Sequence, residues 1–263
     1  MEYEFVIGMF ASKDIAVGTV GSVLELHNAP YHYRWDIVGA GDATRTRNIL
    51  ASRFLKVDDS PFLIFIDRDI VFTPQDIGKL LESLRNGYDL IAGCYVIKDT
   101  MTLASTENGV EGLIMDGTIQ EVSYLATGFM GVTKNLLKKM VTELNLPLMH
   151  GGGNTEAYPF FEQKRHKDPD YGDMWLSEDY DFSEKARQVG VKSYLDTSVR
   201  LGHLGDALWR VEGTVNPRHG KGLSKEAQEK IRKIIQEEVL PVSPEKNGQY
   251  RGRCSPLQAS KNK

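Results

Sequence analysis

The sequence predicts an α/β fold: a mixed, mostly parallel sheet flanked by helices, followed by a C-terminal helix and a flexible tail. Two observations predict it. Apolar strand-like runs alternate with helical patterns over residues 1–96, the signature of a largely parallel sheet covered by helices. After residue 109 a turn signal of another kind breaks that alternation, so the sheet is expected to become mixed.

The elements follow in order. Phe5–Phe10, Tyr33–Val38, Phe62–Ile66 and Tyr88–Val96 are the first four apolar runs. Asp42 stands where an N-cap belongs, and Ile49, Leu50, Phe54 and Leu55 recur behind it at helical spacing. Thr73-Pro74-Gln75-Asp76 combines a cap, a proline at the first helical position and an acid that can reach back; Ile77, Leu80, Leu81 and Leu84 then form a buried stripe. Leu113–Ile119 is expected to be a hairpin turning at Asp116-Gly117. Leu125–Val132 reads as a strand and Lys134–Leu144 as a helix. Residues 147–173 lack periodicity, and a loop of that length in a compact domain is usually functional. Asp181–Gln188 is a short helix closed by Gly190, Val191–Leu195 and Val199–Leu201 are strand-like, Ser224–Val239 is a charged amphipathic helix, and the polar stretch from Pro241 is expected to be disordered.

Composition narrows the function. With 263 residues, 41% hydrophobic and 26% charged, and a net charge of -4, the chain has neither the basic footprint of a nucleic-acid binder nor the composition of a disordered protein. No apolar run reaches the ~18 residues of a membrane span. Met1-Glu2-Tyr3-Glu4 runs directly into the strand-like Phe5-Val6-Ile7, so no signal peptide is expected, and the two cysteines, Cys94 and Cys254, fit a reducing compartment. A soluble cytoplasmic protein is the expectation.

Four places carry candidate chemistry. Asp67-Arg68-Asp69 follows the apolar run Phe62–Ile66, so two carboxylates leave the carboxyl end of a buried strand. Asp168/Asp170 and Asp179/Asp181 share the spacing, but only the first pair has that context. Charge gathered there calls for a cation, and hard oxygen ligands suit Mg²⁺ or Mn²⁺ carrying a diphosphate. Arg45 and Arg47 occupy the first turns of a helix, where the macrodipole favours acids, so an anion docking at the helix start would explain them; Asn48 could reach a base or ribose. Glu178 and Asp179 open another helix, with Trp175 just upstream as a surface for stacking on a sugar. His203 sits between Gly202 and Leu204-Gly205 after a strand, where a glycine lets backbone approach a ligand closely.

Taken in order, Thr46-Arg47-Asn48, Phe65-Ile66-Asp67-Arg68-Asp69, Ala126-Thr127-Gly128-Phe129-Met130, Ser177-Glu178-Asp179 and Gly202-His203-Leu204-Gly205 resemble a nucleotide-sugar-dependent glycosyltransferase of the GT-A type, family 2-like, over about residues 4–206. The resemblance implies a Rossmann-like catalytic domain over 1–206, a helical extension over 207–240 and a tail over 241–263. It implies Mn²⁺ or Mg²⁺ on Asp69 and His203, with Asp67 acting through water or on the ribose. Arg45, Arg47, Asn48 and Arg68 would hold the nucleotide diphosphate, UDP- or GDP-linked, and Thr127-Gly128 would line the donor sugar. Asp179 would be the general base, Glu178 would position a substrate, and Trp175 would meet a glycan or other hydroxyl acceptor, with inversion at the anomeric carbon. The segment 147–173 would be a lid over the donor. A small or apolar residue commonly stands where this chain has Arg68. The alternatives are a sugar nucleotidyltransferase, for which Gly8-Met9-Phe10-Ala11-Ser12-Lys13 is a poor match to the usual Gly-rich basic loop, and a carbohydrate-binding relative without catalysis.

Overall fold

The computed structural model describes residues 3–210, apart from 12–13, 40, 58–59, 99–101, 108–112, 151–154, 169–171 and 206–207. The expected helix at 224–239, the tail from 241 and the glycine run 151–153 lie outside the described residues. In chain order the elements are β1 (Phe5–Phe10), α1 (Val17–His27), β2 (Tyr33–Val38), α2 (Ala43–Val57), β3 (Phe62–Asp67), β4 (Ile70–Val71), α3 (Pro74–Arg85) and β5 (Leu90–Cys94). Then come β6 (Thr106–Glu107), β7 (Ile119–Tyr124), β8 (Phe129–Thr133), α4 (Lys134–Glu143), β9 (Met149–His150) and β10 (Glu156–Ala157). The last are β11 (Lys164–Asp168), β12 (Gly172–Leu176), α5 (Glu178–Gln188), β13 (Ser193–Arg200), β14 (Gly202–Leu204) and β15 (Leu208–Arg210).

The main sheet has the order β2-β1-β3-β8-β5-β13-β7-β6. β2, β1 and β3 pair in parallel, as do β5 and β13, while β8 runs antiparallel between β3 and β5 and β7 antiparallel beside β13. Among the described strands of this sheet, β8 and β7 run against the rest, so the fold is a mixed α/β, Rossmann-like arrangement. Side chains alternate across β3: Leu63 and Phe65 enter a core with Leu50, Phe54, Met130 and Phe182 beneath α2 and α5, and Ile64 and Ile66 enter the opposite core with Leu80, Leu81 and Phe129 beneath α3. With both faces covered, β3 is a near-continuous apolar run, and its first polar residues emerge at its carboxyl end.

The helix starts form as their sequences dictate. Thr73 and Asp76 make a reciprocal capping box with Pro74 in the first turn, and Ile77, Leu80, Leu81 and Leu84 are buried. Asp42 Oδ1 accepts from the Arg45 amide at 2.8 Å, opening α2. The buried face of α2 carries Arg47, Leu50, Ala51 and Phe54, so a guanidinium occupies one position of an apolar stripe.

Two expectations are corrected. Residues 113–115 form no strand, so the predicted hairpin is absent. Gln120 instead takes both backbone groups of Ile114 with its side-chain amide, accepting from Ile114 N at 3.1 Å and donating to Ile114 O, which removes the partners a ladder would need. The Asp116-Gly117 turn survives, with Gly117 at φ 86° and Thr118 N donating to Asp116 Oδ1 at 3.0 Å. The segment 147–173 is not an irregular loop throughout either: β9 pairs with β10 and β11 with β12, both antiparallel. Between those hairpins Phe160 and Phe161 are fully buried, and Phe161 stacks on Phe182 at 4.6 Å and meets Phe65 edge-on at 5.4 Å. Tyr158 N donates to Ser52 Oγ at 2.8 Å, and Lys185 Nζ donates to Pro159 O at 2.6 Å while pairing with Asp181 at 2.8 Å and Glu162 at 2.6 Å. Its periodicity is hidden because two adjacent phenylalanines anchor a non-repeating backbone.

Phe161→Ala is therefore expected to lower the free energy of unfolding by about 3–5 kcal/mol, as for other large aromatic truncations in cores. Trp175→Ala, at a position 69% exposed, should stay within about 0.5 kcal/mol of the parent. Urea unfolding of both variants measures the difference, and equal losses would remove Phe161 from the core.

Candidate active site at the carboxyl end of the sheet

Arg47 joins two distant parts of the chain. Its Nη2 donates to both carboxylate oxygens of Asp67 at 3.0 Å, and its Nη1 donates to Glu178 Oε1 at 2.9 Å. The Arg47 side chain is 7% exposed, against 28% for Asp67 and 16% for Glu178. Burial works against its charge, but Asp67 above all, then Asp179 and Glu178, hold the guanidinium protonated beyond its already high ordinary range. The forked, planar guanidinium can serve two carboxylates at once, which an ammonium cannot do with the same fixed geometry. Its Nε is buried with no hydrogen-bond partner among the described residues.

Asp69 lies on the other side of the Arg68 turn. Lys98 Nζ pairs with its Oδ2, and His203 Nε2 stands 3.7 Å from its Oδ1. The short strand β4, continuing from the motif, pairs with β14 and sets His203 opposite Ile70, and Leu204 N donates to Asp69 O at 2.8 Å. A Cβ on Gly202 would lie 2.7 Å from Leu208 Cδ1 and 3.2 Å from Val71 Cβ, so a glycine is what lets these strands close up. His203 Nδ1 is 2.8 Å from Val96 O, a group that only accepts, which places the Nδ1 proton there. In the neutral ring Nε2 then turns a lone pair toward Asp69.

Asp179 opens α5 beside Glu178. Ser177 Oγ and Tyr180 N donate to its Oδ1, the latter at 3.0 Å. Burial pushes its carboxyl above the ordinary carboxylate range; Ser177 and Arg47 oppose the shift and Glu178 adds to it. A third wall is the loop before β8: Gly128 N donates to Tyr95 Oη at 2.9 Å, and Asp67 N donates to Gly128 O at 2.9 Å. A Cβ on Gly128 would lie 2.6 Å from Tyr95 Oη. Burial first, then Asp67 and Asp179, raise the Tyr95 phenol well above its usual value, so it remains a neutral hydroxyl. Thr127 Oγ1, also buried, has no partner among the described residues.

Fold geometry thus brings together Arg47, Asp67, Asp69, Glu178, Asp179, Gly128 and His203, all singled out in the sequence. The other candidates stand elsewhere or are engaged. Asn48, expected at a base or ribose, spends its amide on Phe161, donating to its O at 2.9 Å and accepting from its N at 2.8 Å. Arg45 is exposed and lines, with Asp42, Thr44, Asn48, Tyr158 and Glu162, a cavity of about 500 Å³. Arg68 pairs with Asp14 in the loop after β1. Trp175 is exposed on β12, opposite Arg165. Lys98 and Tyr95 belong to none of the sequence motifs above, although Tyr95-Val96-Ile97-Lys98 leaves the carboxyl end of a buried strand, the edge where ligands of such sheets bind.

Among the described residues no group of three or more His, Cys, Asp and Glu side chains is arranged to hold a metal. Asp69 and His203 nevertheless form a two-donor set whose facing lone pairs suit a divalent ion that takes its remaining ligands from water and phosphate. The His203 Nδ1 contact with Val96 O is the kind of support that fixes a ligating imidazole.

No protein-family model matches the chain, and no curated protein matches it in sequence. Among solved structures it is similar to the crystal structure of A197 from STIV, with 17% identity, coverage of 84% of this chain and 100% of that chain, and a TM-score of 0.52. At that identity the likeness concerns the fold alone.

Two outcomes follow from the charge geometry. Arg47→Leu leaves Asp67 and Glu178 facing each other and is expected to cost about 2–3 kcal/mol, less than a fully buried pair because Asp67 keeps contact with water. Adding Asp67→Asn and Glu178→Gln should recover most of that loss in chemical unfolding. For Asp179, the raised folded value means its proton favours folding below the unfolded value of 3.8, a contribution lost as pH rises through the folded value. The stability of Asp179→Asn relative to the parent should therefore grow as pH rises from about 4 through the folded value; a flat difference in thermal unfolding over that rise would contradict the assignment.

Proposed function

We propose that the chain is a GT-A-type glycosyltransferase that moves a sugar from a nucleoside-diphosphate sugar to an acceptor hydroxyl, with inversion. One observation carries the proposal: two acid pairs and a histidine from separate segments, Asp67/Asp69, Glu178/Asp179 and His203, converge at the carboxyl end of one sheet, with Arg47 bridging the two acid pairs. Residues 1–206 are the catalytic domain in this proposal.

Asp69 and His203 would hold Mn²⁺ or Mg²⁺, which when bound supplies charge neutralisation for a leaving diphosphate. Arg47 orients Asp67 through two hydrogen bonds and fixes Glu178 at the start of α5. Asp179 takes the proton of the acceptor hydroxyl: its raised affinity for a proton moves it toward the working pH of a base, and Ser177 and Tyr180 aim its carboxylate. Gly128, without a side chain, lets the Tyr95 phenol pack against the backbone beside Asp67. Arg45, exposed in the first turn of α2, and Arg68, in the turn after β3, supply positive charge for phosphates, and Trp175 offers an aromatic face to an acceptor glycan. No helix among the described residues is long and apolar enough to cross a membrane, and we place the activity in the cytoplasm.

Calorimetry with UDP, GDP and dTDP, with and without Mn²⁺, tests the nucleotide step: one of them is expected to bind in a metal-dependent way, and binding of none would remove the proposal. Once a donor is found, Asp69→Ala should abolish transfer while leaving the circular dichroism spectrum unchanged. Asp179→Asn should lower kcat by about 10²- to 10⁴-fold with little change in donor affinity.

A further inference from the structure

Lys98 is placed with more care than a surface lysine needs. It follows β5, pairs through Nζ with Asp69 Oδ2, and is 34% exposed. Its aliphatic stem lies against Gly205: a Cβ there would stand 3.2 Å from Lys98 Cδ and 3.6 Å from its Cγ. Gly205 belongs to the segment that supplies His203, and the Leu204 amide is tied to Asp69 O at 2.8 Å. Asp69, His203 and the track for the Lys98 stem are thus one construction. In it the carboxylate of Asp69 is shared, with Oδ2 taken by the ammonium and Oδ1 facing His203 Nε2.

A divalent ion at Asp69 and His203 would stand beside that ammonium. The two cations compete for one carboxylate, and their repulsion falls within contact range, where charge interactions in a half-buried site are strong. A diphosphate changes the balance, because its oxygens offer the ammonium a new partner and complete the coordination of the ion. We infer that Lys98 is a resident counter-ion of Asp69, which keeps the Asp69–His203 pair from taking a divalent cation until a diphosphate draws the ammonium away. The inference rests on the cation role of this pair in the proposed function and adds to it an order of binding, diphosphate and metal together rather than metal first. By linkage, the diphosphate must raise the affinity for the ion by the same factor as the ion raises the affinity for diphosphate.

Mn²⁺ alone is titrated into the full chain and followed by electron paramagnetic resonance, without any sugar donor. Lys98→Met is expected to bind Mn²⁺ at least about tenfold more tightly than the parent, within the usual range of such couplings. Lys98→Arg, which keeps the charge, should stay with the parent, and Asp69→Asn added to Lys98→Met should abolish the gain. Inorganic pyrophosphate added to the parent should produce protein-bound Mn²⁺, while its effect on Lys98→Met should be smaller. Lys98→Gln serves as the second charge-removing variant if Lys98→Met fails to give the parent's circular dichroism spectrum. Equal affinities for the parent and the charge-removing variants, or no binding by any of them, would overturn the inference. Because no donor is present, tight binding by Lys98→Met in a protein that turns over no nucleotide sugar supports the cation gate while removing the proposed transferase activity.

Discussion

A guanidinium held out of water between two carboxylates is the interaction on which the rest of the site depends. Arg47 is the one charged member of the buried stripe formed with Leu50, Ala51 and Phe54, and burial there is tolerable because Asp67 and Glu178 meet it at 3.0 and 2.9 Å. The contact fixes three things together. It sets the rotation of α2 over the sheet, the direction in which the carboxyl end of β3 presents Asp67, and the approach of α5, whose first turn brings Asp179. A hydrophobic side chain at 47 would fill the stripe but leave the two acid groups repelling each other.

The scaffold around this contact is arranged to hold the two acid pairs in register. β8 runs backwards between β3 and β5, so the loop preceding it arrives at the same edge where β3 and β5 end. That is how Gly128 comes to share hydrogen bonds with Asp67 and Tyr95. On the far side, Phe160 and Phe161 lock the chain between the small hairpins against α2 and α5, and Asn48 and Lys185 secure its backbone groups. The fixed part of the segment 147–173 therefore supports α5 from behind. Trp175 on the β11–β12 hairpin and Met149 on β9 face solvent.

Much of the site was legible because each of its acids stands at an element boundary. A buried strand ending in Asp67-Arg68-Asp69 and a helix opening with Glu178-Asp179 are visible from hydrophobic pattern alone. The basic residue at 47 was also legible, but its partner was not: an arginine early in a helix suggests an incoming phosphate, and nothing local reveals carboxylates 20 and 131 residues away. Asn48 was misdirected for the same reason, since Phe161 is 113 residues distant. The hairpin expected at Asp116-Gly117 failed because one side chain, Gln120, competed for the backbone of Ile114 over a short range that propensity does not weigh.

The sequence by itself determined the alternation of elements, the capped starts of α2 and α3, the two-faced core of β3 and the acids at its end. These depend on neighbours a few residues apart, through periodicity, capping and burial. Only the tertiary structure decided the order of the strands, the reversal of β8, the burial of Phe160 and Phe161, and the pairing of Asp69 with Lys98 and His203. Those depend on which distant segments share a volume, and a charge chooses its partner by proximity in space, which a linear pattern of residues does not encode.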